Sequence, residues 1–114
     1  MYNSIIEFIE KDTTKIEKFI KESLLSGNMM RFEEELLDTV LEFGRSLYQE
    51  ILESIEQTIR NSEFRKQSYH VEHKEDRRTL LTRFGNIEVK RAYYAPKHGG
   101  IRIYLLDKYV GMDS

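Results

Sequence analysis

Two amphipathic helices, the second long, followed by a small antiparallel β-meander: this α+β order is what the sequence predicts. Two changes of pattern predict it. Apolar residues recur every three or four positions as far as Ile59, and every second position from Tyr69 onwards. Turn-forming residues (Gly27-Asn28, Gly85-Asn86 and Pro96-Lys-His-Gly-Gly100) fall between the periodic runs. The division that follows is a helical segment over residues 1–66 and a β-hairpin or meander with a basic surface over residues 67–114.

The first helix has two possible starts. Ser4-Ile-Ile-Glu7 and Thr14-Lys-Ile-Glu17 each place a hydroxyl three residues before a glutamate, the capping-box spacing. A break near Asp12-Thr13 therefore stays open. Ile5, Ile9, Ile16, Phe19, Ile20 and Leu24 share roughly one face, and Gly27-Asn28 supplies a left-handed end. The second helix carries Phe32, Leu36, Val40, Phe43, Leu47, Ile51, Ile55 and Ile59 at helical spacing, widened by Leu37, Leu41, Tyr48 and Leu52. Glu33, Glu34 and Glu35 are expected in its first turn and Arg60, Arg65 and Lys66 near its end, where the helix dipole favours each sign. About 30 helical residues span roughly 45 Å, more than the first helix can cover. The surplus stripe needs the β region, another chain, or more of a larger protein.

Beyond that, Tyr69, Val71 and His73 alternate weakly, and Arg78 to Phe84 form a second run. Gly85-Asn86 suits a tight hairpin turn. Ile87, Val89 and Arg91 then alternate with Glu88, Lys90 and Ala92, and Ile101, Ile103 and Leu105 make a last short run. Three or four strands are expected.

The bulk composition excludes several classes. A chain of 114 residues is one domain's worth of material. The absence of cysteine removes a disulfide framework and thiolate metal sites and fits a cytoplasmic protein. Met1 is not followed by a basic segment and apolar core of the secretory kind, and no apolar run reaches the roughly 18 residues of a membrane span. Residues 1–60 hold 7 basic and 13 acidic side chains, whereas residues 61–114 hold 11 basic and 7 acidic ones. That asymmetry can mark a nucleic-acid surface on the second half, or simply two solvated faces.

The candidate chemistry sits in the basic half. Arg77, Arg78, Arg83, Lys90, Arg91, Lys97 and Arg102 lie on strands or turns that pair in space, and clustered cations neutralise phosphates with release of counterions. Tyr93, Tyr94 and Tyr104 lie among them and offer stacking faces or phosphate bonds. The competing reading makes the cations ordinary outward strand residues and the tyrosines plugs of a small core. No metal site is expected: His70 and His73 fall on opposite faces of a strand, and His98 sits in a glycine-rich turn. Asp107, after two leucines, is expected to cap a following helical element. No glycine-rich phosphate loop and no Ser-His-Asp arrangement is present.

Arg78-Thr-Leu-Leu-Thr-Arg-Phe-Gly-Asn-Ile-Glu-Val-Lys-Arg-Ala-Tyr-Tyr94, followed by Tyr104-Leu-Leu-Asp-Lys-Tyr-Val-Gly111, resembles the N-terminal region of the ISLre-type insertion-sequence transposases. That family was first catalogued only as uncharacterised. The helical part is similar in pattern, through Glu34-Glu-Leu-Leu37 and Glu42-Phe-Gly-Arg45. The resemblance implies DNA transposition by cut-and-join chemistry, with an N-terminal part that recognises element ends, assembles subunits, or does both. It also implies an Asp-Asp-Glu set on a ribonuclease-H-like fold, holding two divalent ions such as Mg. Nothing in residues 1–114 maps onto that set. The chain is therefore expected to be a transposase fragment lacking its catalytic domain, whether a gene remnant or a natural short product, with no activity and no cofactor of its own. Expected partners are DNA at transposon ends and further copies of the chain through the helical half, with no membrane. Two alternatives are a non-enzymatic helical interaction module without a nucleic-acid role, and a regulator competing with full-length transposase.

Overall fold

In a computed structural model, the structure describes residues 2–112, apart from the side chains of Leu24 and Ser26. The chain is α+β: helices α1 (Asn3–Glu7), α2 (Thr13–Ser26), α3 (Met29–Arg60) and α4 (Glu63–Ser68), strands β1 (Tyr69–Thr82) and β2 (Gly85–Pro96), then α5 (Leu105–Val110). Two compact units divide it. One holds the chain through Glu50 with Thr82–Gly85; the other holds Ile51–Leu81 and the chain from Asn86 onwards. These units cut across the helical and β segments, since α3 contributes to both.

In the first unit, neither capping box forms. Ser4 lies inside α1. Its backbone N–H and its hydroxyl both donate to Glu50, at 2.9 and 3.1 Å. A carboxylate distant in sequence thus satisfies one of the donors a helix start leaves unpaired. Between α1 and α2 the helix passes through Phe8–Asp12 as a single wide π-type turn. The Thr13 N–H reaches back five residues to Phe8, and its hydroxyl takes over the Ile9 carbonyl at 2.5 Å. Thr14, the second possible start, lies inside α2, and its hydroxyl donates back to the Glu10 carbonyl at 3.5 Å, so the helix runs past Asp12-Thr13 unbroken. Gly27, at φ +67°, ends α2, and its N–H donates to the Ser23 carbonyl at 2.8 Å. Asn28 Oδ1 then accepts the Arg31 N–H at 3.2 Å and starts α3. Because α3 begins at Met29, Glu33, Glu34 and Glu35 fall past its first turn, where the helix dipole favours them less.

The hairpin turn also belongs to this unit. It is made by Arg83 and Phe84, with Gly85 opening β2, not by Gly85-Asn86. No non-glycine residue among those described has positive φ, and Gly85 sits at +113°. Neither turn residue therefore has the positive φ that the mirror-image turn suggested by Gly-Asn requires. The Thr82 hydroxyl accepts the Phe84 N–H and donates to the Gly85 carbonyl, and Arg45 Nη1 donates to the Phe84 carbonyl at 2.7 Å.

The second unit contains the hydrophobic core of the described residues. Leu52 and Ile59 from α3, Ile87, Val89, Ala92 and Tyr94 from β2, and Leu105 and Leu106 from α5 are buried together. Arg65 and Lys66 do not end the long helix; Ser62 caps a separate short helix, α4, by accepting the Arg65 N–H. The two expected runs at Tyr69 and Arg78 are one strand of 14 residues. The sheet has two antiparallel strands, not three or four. Ile103 adds only an isolated bridge, exchanging both backbone bonds with Tyr94 at 2.9 and 3.0 Å.

Candidate nucleic-acid interface and the Asp107 charge cluster

The alternation in β2 changes phase. Ile87 and Val89 are buried, but the next buried positions are Ala92 and Tyr94, a switch from odd to even that an unbroken pleat cannot make. Arg91 falls at that switch. Its side chain, expected to face water, is only 11 % exposed.

Arg91 is held on two sides. Its guanidinium carbon lies 3.7 Å from the centre of the Tyr104 ring, a close cation–π contact, and Nη1 pairs with Asp107 Oδ2. Arg78 converges on the same carboxylate: its Nη1 lies 3.1 Å from Asp107 Oδ2 and donates to the Met112 carbonyl at 2.6 Å. Asp107 is therefore not a helix cap. Tyr104 precedes α5, no side chain caps it, and Asp107 is its third residue, buried and shared between two arginines from two strands. One carboxylate between two guanidiniums compensates charge that would otherwise be costly to bury. Asp107 Oδ1 and Arg91 Nε are buried without partners, a matched acceptor and donor on an already paired couple.

Tyr104 extends the cluster outward. Its hydroxyl donates to Asp76 Oδ2 at 2.7 Å, and His73 Nδ1 lies 3.2 Å from the same oxygen. The Tyr104 and His73 bonds hold the Asp76 carboxyl below its ordinary value, while the bond to Asp76, then burial, pushes the Tyr104 phenol up. Tyr93 lies 4.6 Å from Tyr104 and 5.7 Å from His73, ring centre to ring centre. A second buried carboxylate, Glu56 of α3, accepts the Ala92 N–H and lies 3.4 Å from the Tyr94 hydroxyl. Burial pushes Glu56 above its usual range, against the lowering effect of the Ala92 bond.

The sequence-predicted residues thus separate into two groups. Arg91 and Tyr94 belong to the interior, and Arg78, its side chain 28 % exposed, is half-buried against Asp107; Tyr94 has no exposed surface and packs edge-on against Tyr69. Tyr93 is part of the aromatic group around Tyr104. The other cations face outward. Arg77 pairs with Glu88 at 2.8 Å and Arg102 with Glu72 at 2.5 Å, both well exposed, and Lys97 donates to the Lys66 carbonyl. Among the described residues, Lys90 in this unit and Arg83 in the other make no ion pair. The basic surface is consequently smaller than the count of Arg and Lys suggests, because carboxylates neighbour several of its members.

Sequence reasoning missed Asp107 as a hub, and Glu56 and Asp76 as partners. Glu56 carried a signal, standing on the helical stripe between Leu52 and Ile59. Among the described residues no three His, Asp or Glu side chains are grouped to hold a metal ion, and no helix is long and apolar enough to cross a membrane.

The class so defined is a helical and hairpin module whose second unit is closed by an internal Asp–Arg cluster. The model of the uncharacterised protein family UPF0236 matches residues 24–114, and the chain belongs to that family. Two UPF0236 proteins of Caldanaerobacter subterraneus subsp. tengcongensis are each 29% identical to it, over 119 and 118 residues, covering 86% and 85% of this chain and 24% of each relative. A third from the same organism is 38% identical over 64 residues, covering 56% of this chain and 14% of the relative. The chain thus spans about a quarter of the length of the first two. No solved structure matches it.

Proposed function

We propose that this chain is the N-terminal module of a DDE-type insertion-sequence transposase of the ISLre type, and that it contacts DNA through outward cations of the hairpin. The observation that carries the reading is the fate of the cations in residues 78–111. Arg78 and Arg91 are absorbed by Asp107, whereas Lys90, next to Arg91, is exposed and has no carboxylate partner among the described residues. A strand that alternates fold-closing and free cations has a surface left for phosphates. The resemblance of residues 78–94 and 104–111 to transposase N-terminal regions supports the same reading, as does the greater length of the relatives, which leaves room for a catalytic domain elsewhere. In this reading the protein works in the cytoplasm, and divalent metal belongs to the catalytic domain alone.

Fluorescence anisotropy against a labelled duplex tests it. Binding is expected to be weak, around micromolar at physiological salt, with affinity falling as salt rises by a log–log slope of roughly −0.9 per phosphate contact. Substituting Arg83→Ala and Lys90→Ala together is expected to flatten that slope by about two units and leave circular dichroism unchanged. No binding at low salt, or a slope indifferent to both substitutions, would sink DNA contact.

The second reading, a helical interaction module without nucleic acid, is favoured by a different observation. The helical unit leaves Leu25 90 % and Met30 74 % exposed, with Met29 and Leu37 more than half exposed. Association through the helices is compatible with either reading.

A further inference from the structure

We infer that the elbow between α2 and α3 is a self-complementary surface on which a second copy of this chain docks about a two-fold axis. The inference stands whether or not the hairpin contacts DNA, and gives the expected association of the helical half a location.

The elbow carries both a hole and the groups to fill it. A cavity of about 330 Å³ lies between the two helices, with Phe19, Ser23 and Phe32 among its lining. The small Ser23 is buried at this level, where a larger side chain would close the groove. Leu25 is among the lining and almost wholly in solvent. Met29 and Met30, which open α3 outside the lining, also have most of their surface exposed. Singly exposed apolar residues are ordinary, but three large ones within six residues at one bend, with a cavity between the two helices, are not.

Charge selects the occupant. Arg31, Glu22 and Glu35 all line the cavity. None of the three forms an ion pair within the described residues. One surface bearing both signs, unpaired, matches a copy of itself: a two-fold axis sets Arg31 of each copy against Glu22 or Glu35 of the other while Leu25 crosses into the facing cavity. A uniformly basic or acidic partner would leave one sign unmatched.

Analytical ultracentrifugation of the chain tests this, with circular dichroism as the control for folding. Wild-type chain is expected to sediment as a monomer–dimer equilibrium. Because Leu25 is exposed, Leu25→Glu should keep the helical signal and weaken dimerisation at least about tenfold. A charge exchange makes the test specific. Arg31→Glu alone and Glu22→Arg with Glu35→Arg alone should each dimerise poorly, and an equimolar mixture of the two should recover a heterodimer. A wild-type chain that stays monomeric at high concentration overturns the inference, including one whose cavity instead takes up an apolar dye. So does a dimer indifferent to the elbow substitutions, or a mixture with no recovery. DNA binding by a monomer would leave the proposed function standing while removing this surface; a dimer without DNA binding would do the reverse.

Discussion

Asp107 decides more than its place in the chain suggests. It answers Arg78 from β1 and Arg91 from β2, and its own backbone carbonyl accepts the Met112 N–H at 2.7 Å. Removing one partner of a buried charged group leaves the others uncompensated, at about 3–5 kcal/mol. Asp107→Ala is therefore expected to lower the unfolding free energy by about 3 kcal/mol in urea, and a loss below about 0.5 kcal/mol would contradict the hub. Glu56 and Asp76 make opposite predictions for pH. Burial raises the folded-state pKa of Glu56 above its ordinary 4.5, so its contribution is fully present below that value and is lost as pH rises through the folded pKa. Asp76, lowered from 3.8, contributes above that value and loses its contribution as pH falls through its folded pKa. Glu56→Gln keeps an acceptor for the Ala92 N–H without the charge. It should remove the decline in stability above pH 4.5, as read from urea midpoints across pH; an unchanged decline would assign the dependence elsewhere.

The elements show what the sequence made legible and what it did not. The two helices, their boundary at Gly27-Asn28 and the change to period two at Tyr69 all followed from patterns local to a few residues. What could not be read depended on partners distant in the chain. Ser4 looked like a cap because a hydroxyl three residues before a glutamate is usually one, yet its carboxylate comes from Glu50. Arg91 looked outward because a strand cation usually faces water, although alternation from Ile87 and Val89 places it on their inward face, just before the phase change to Ala92 and Tyr94. Asp107 looked like a cap because nothing local announces two arginines folding back onto it. Gly44 is a further case. It lies in the interior of α3, where glycine is about 1 kcal/mol worse than alanine, but an added Cβ would stand 2.8 Å from Cε1 and 2.9 Å from Cγ of Phe84. Gly44→Ala should displace the Phe84 ring from its edge contact with Tyr48 and lower stability by about 1–3 kcal/mol in thermal or urea unfolding. A gain of about 1 kcal/mol would show that helix propensity wins and that the ring moves freely.

At the scale of the whole molecule, the motif that carries the family resemblance is first a folding device. Arg78, Arg91, Tyr94, Tyr104, Leu105, Leu106 and Asp107 are all used inside the second unit. A resemblance resting on such residues identifies the module and says little about what its surface meets. Function has to be sought in the residues between them, and Lys90 and Arg91 make the comparison sharpest: adjacent cations, one outward and one enclosed. The decisive measurement is the pair of single substitutions Lys90→Ala and Arg91→Ala, each assayed for urea midpoint and for duplex affinity at low salt. Lys90→Ala is expected to keep the midpoint and to weaken DNA binding with a salt slope flatter by about one unit. Arg91→Ala is expected to lower the midpoint, while its DNA affinity, measured where the variant is still folded, stays near wild type. The reverse pattern, with Arg91→Ala fully stable and deficient in DNA binding while Lys90→Ala is neutral, would contradict this.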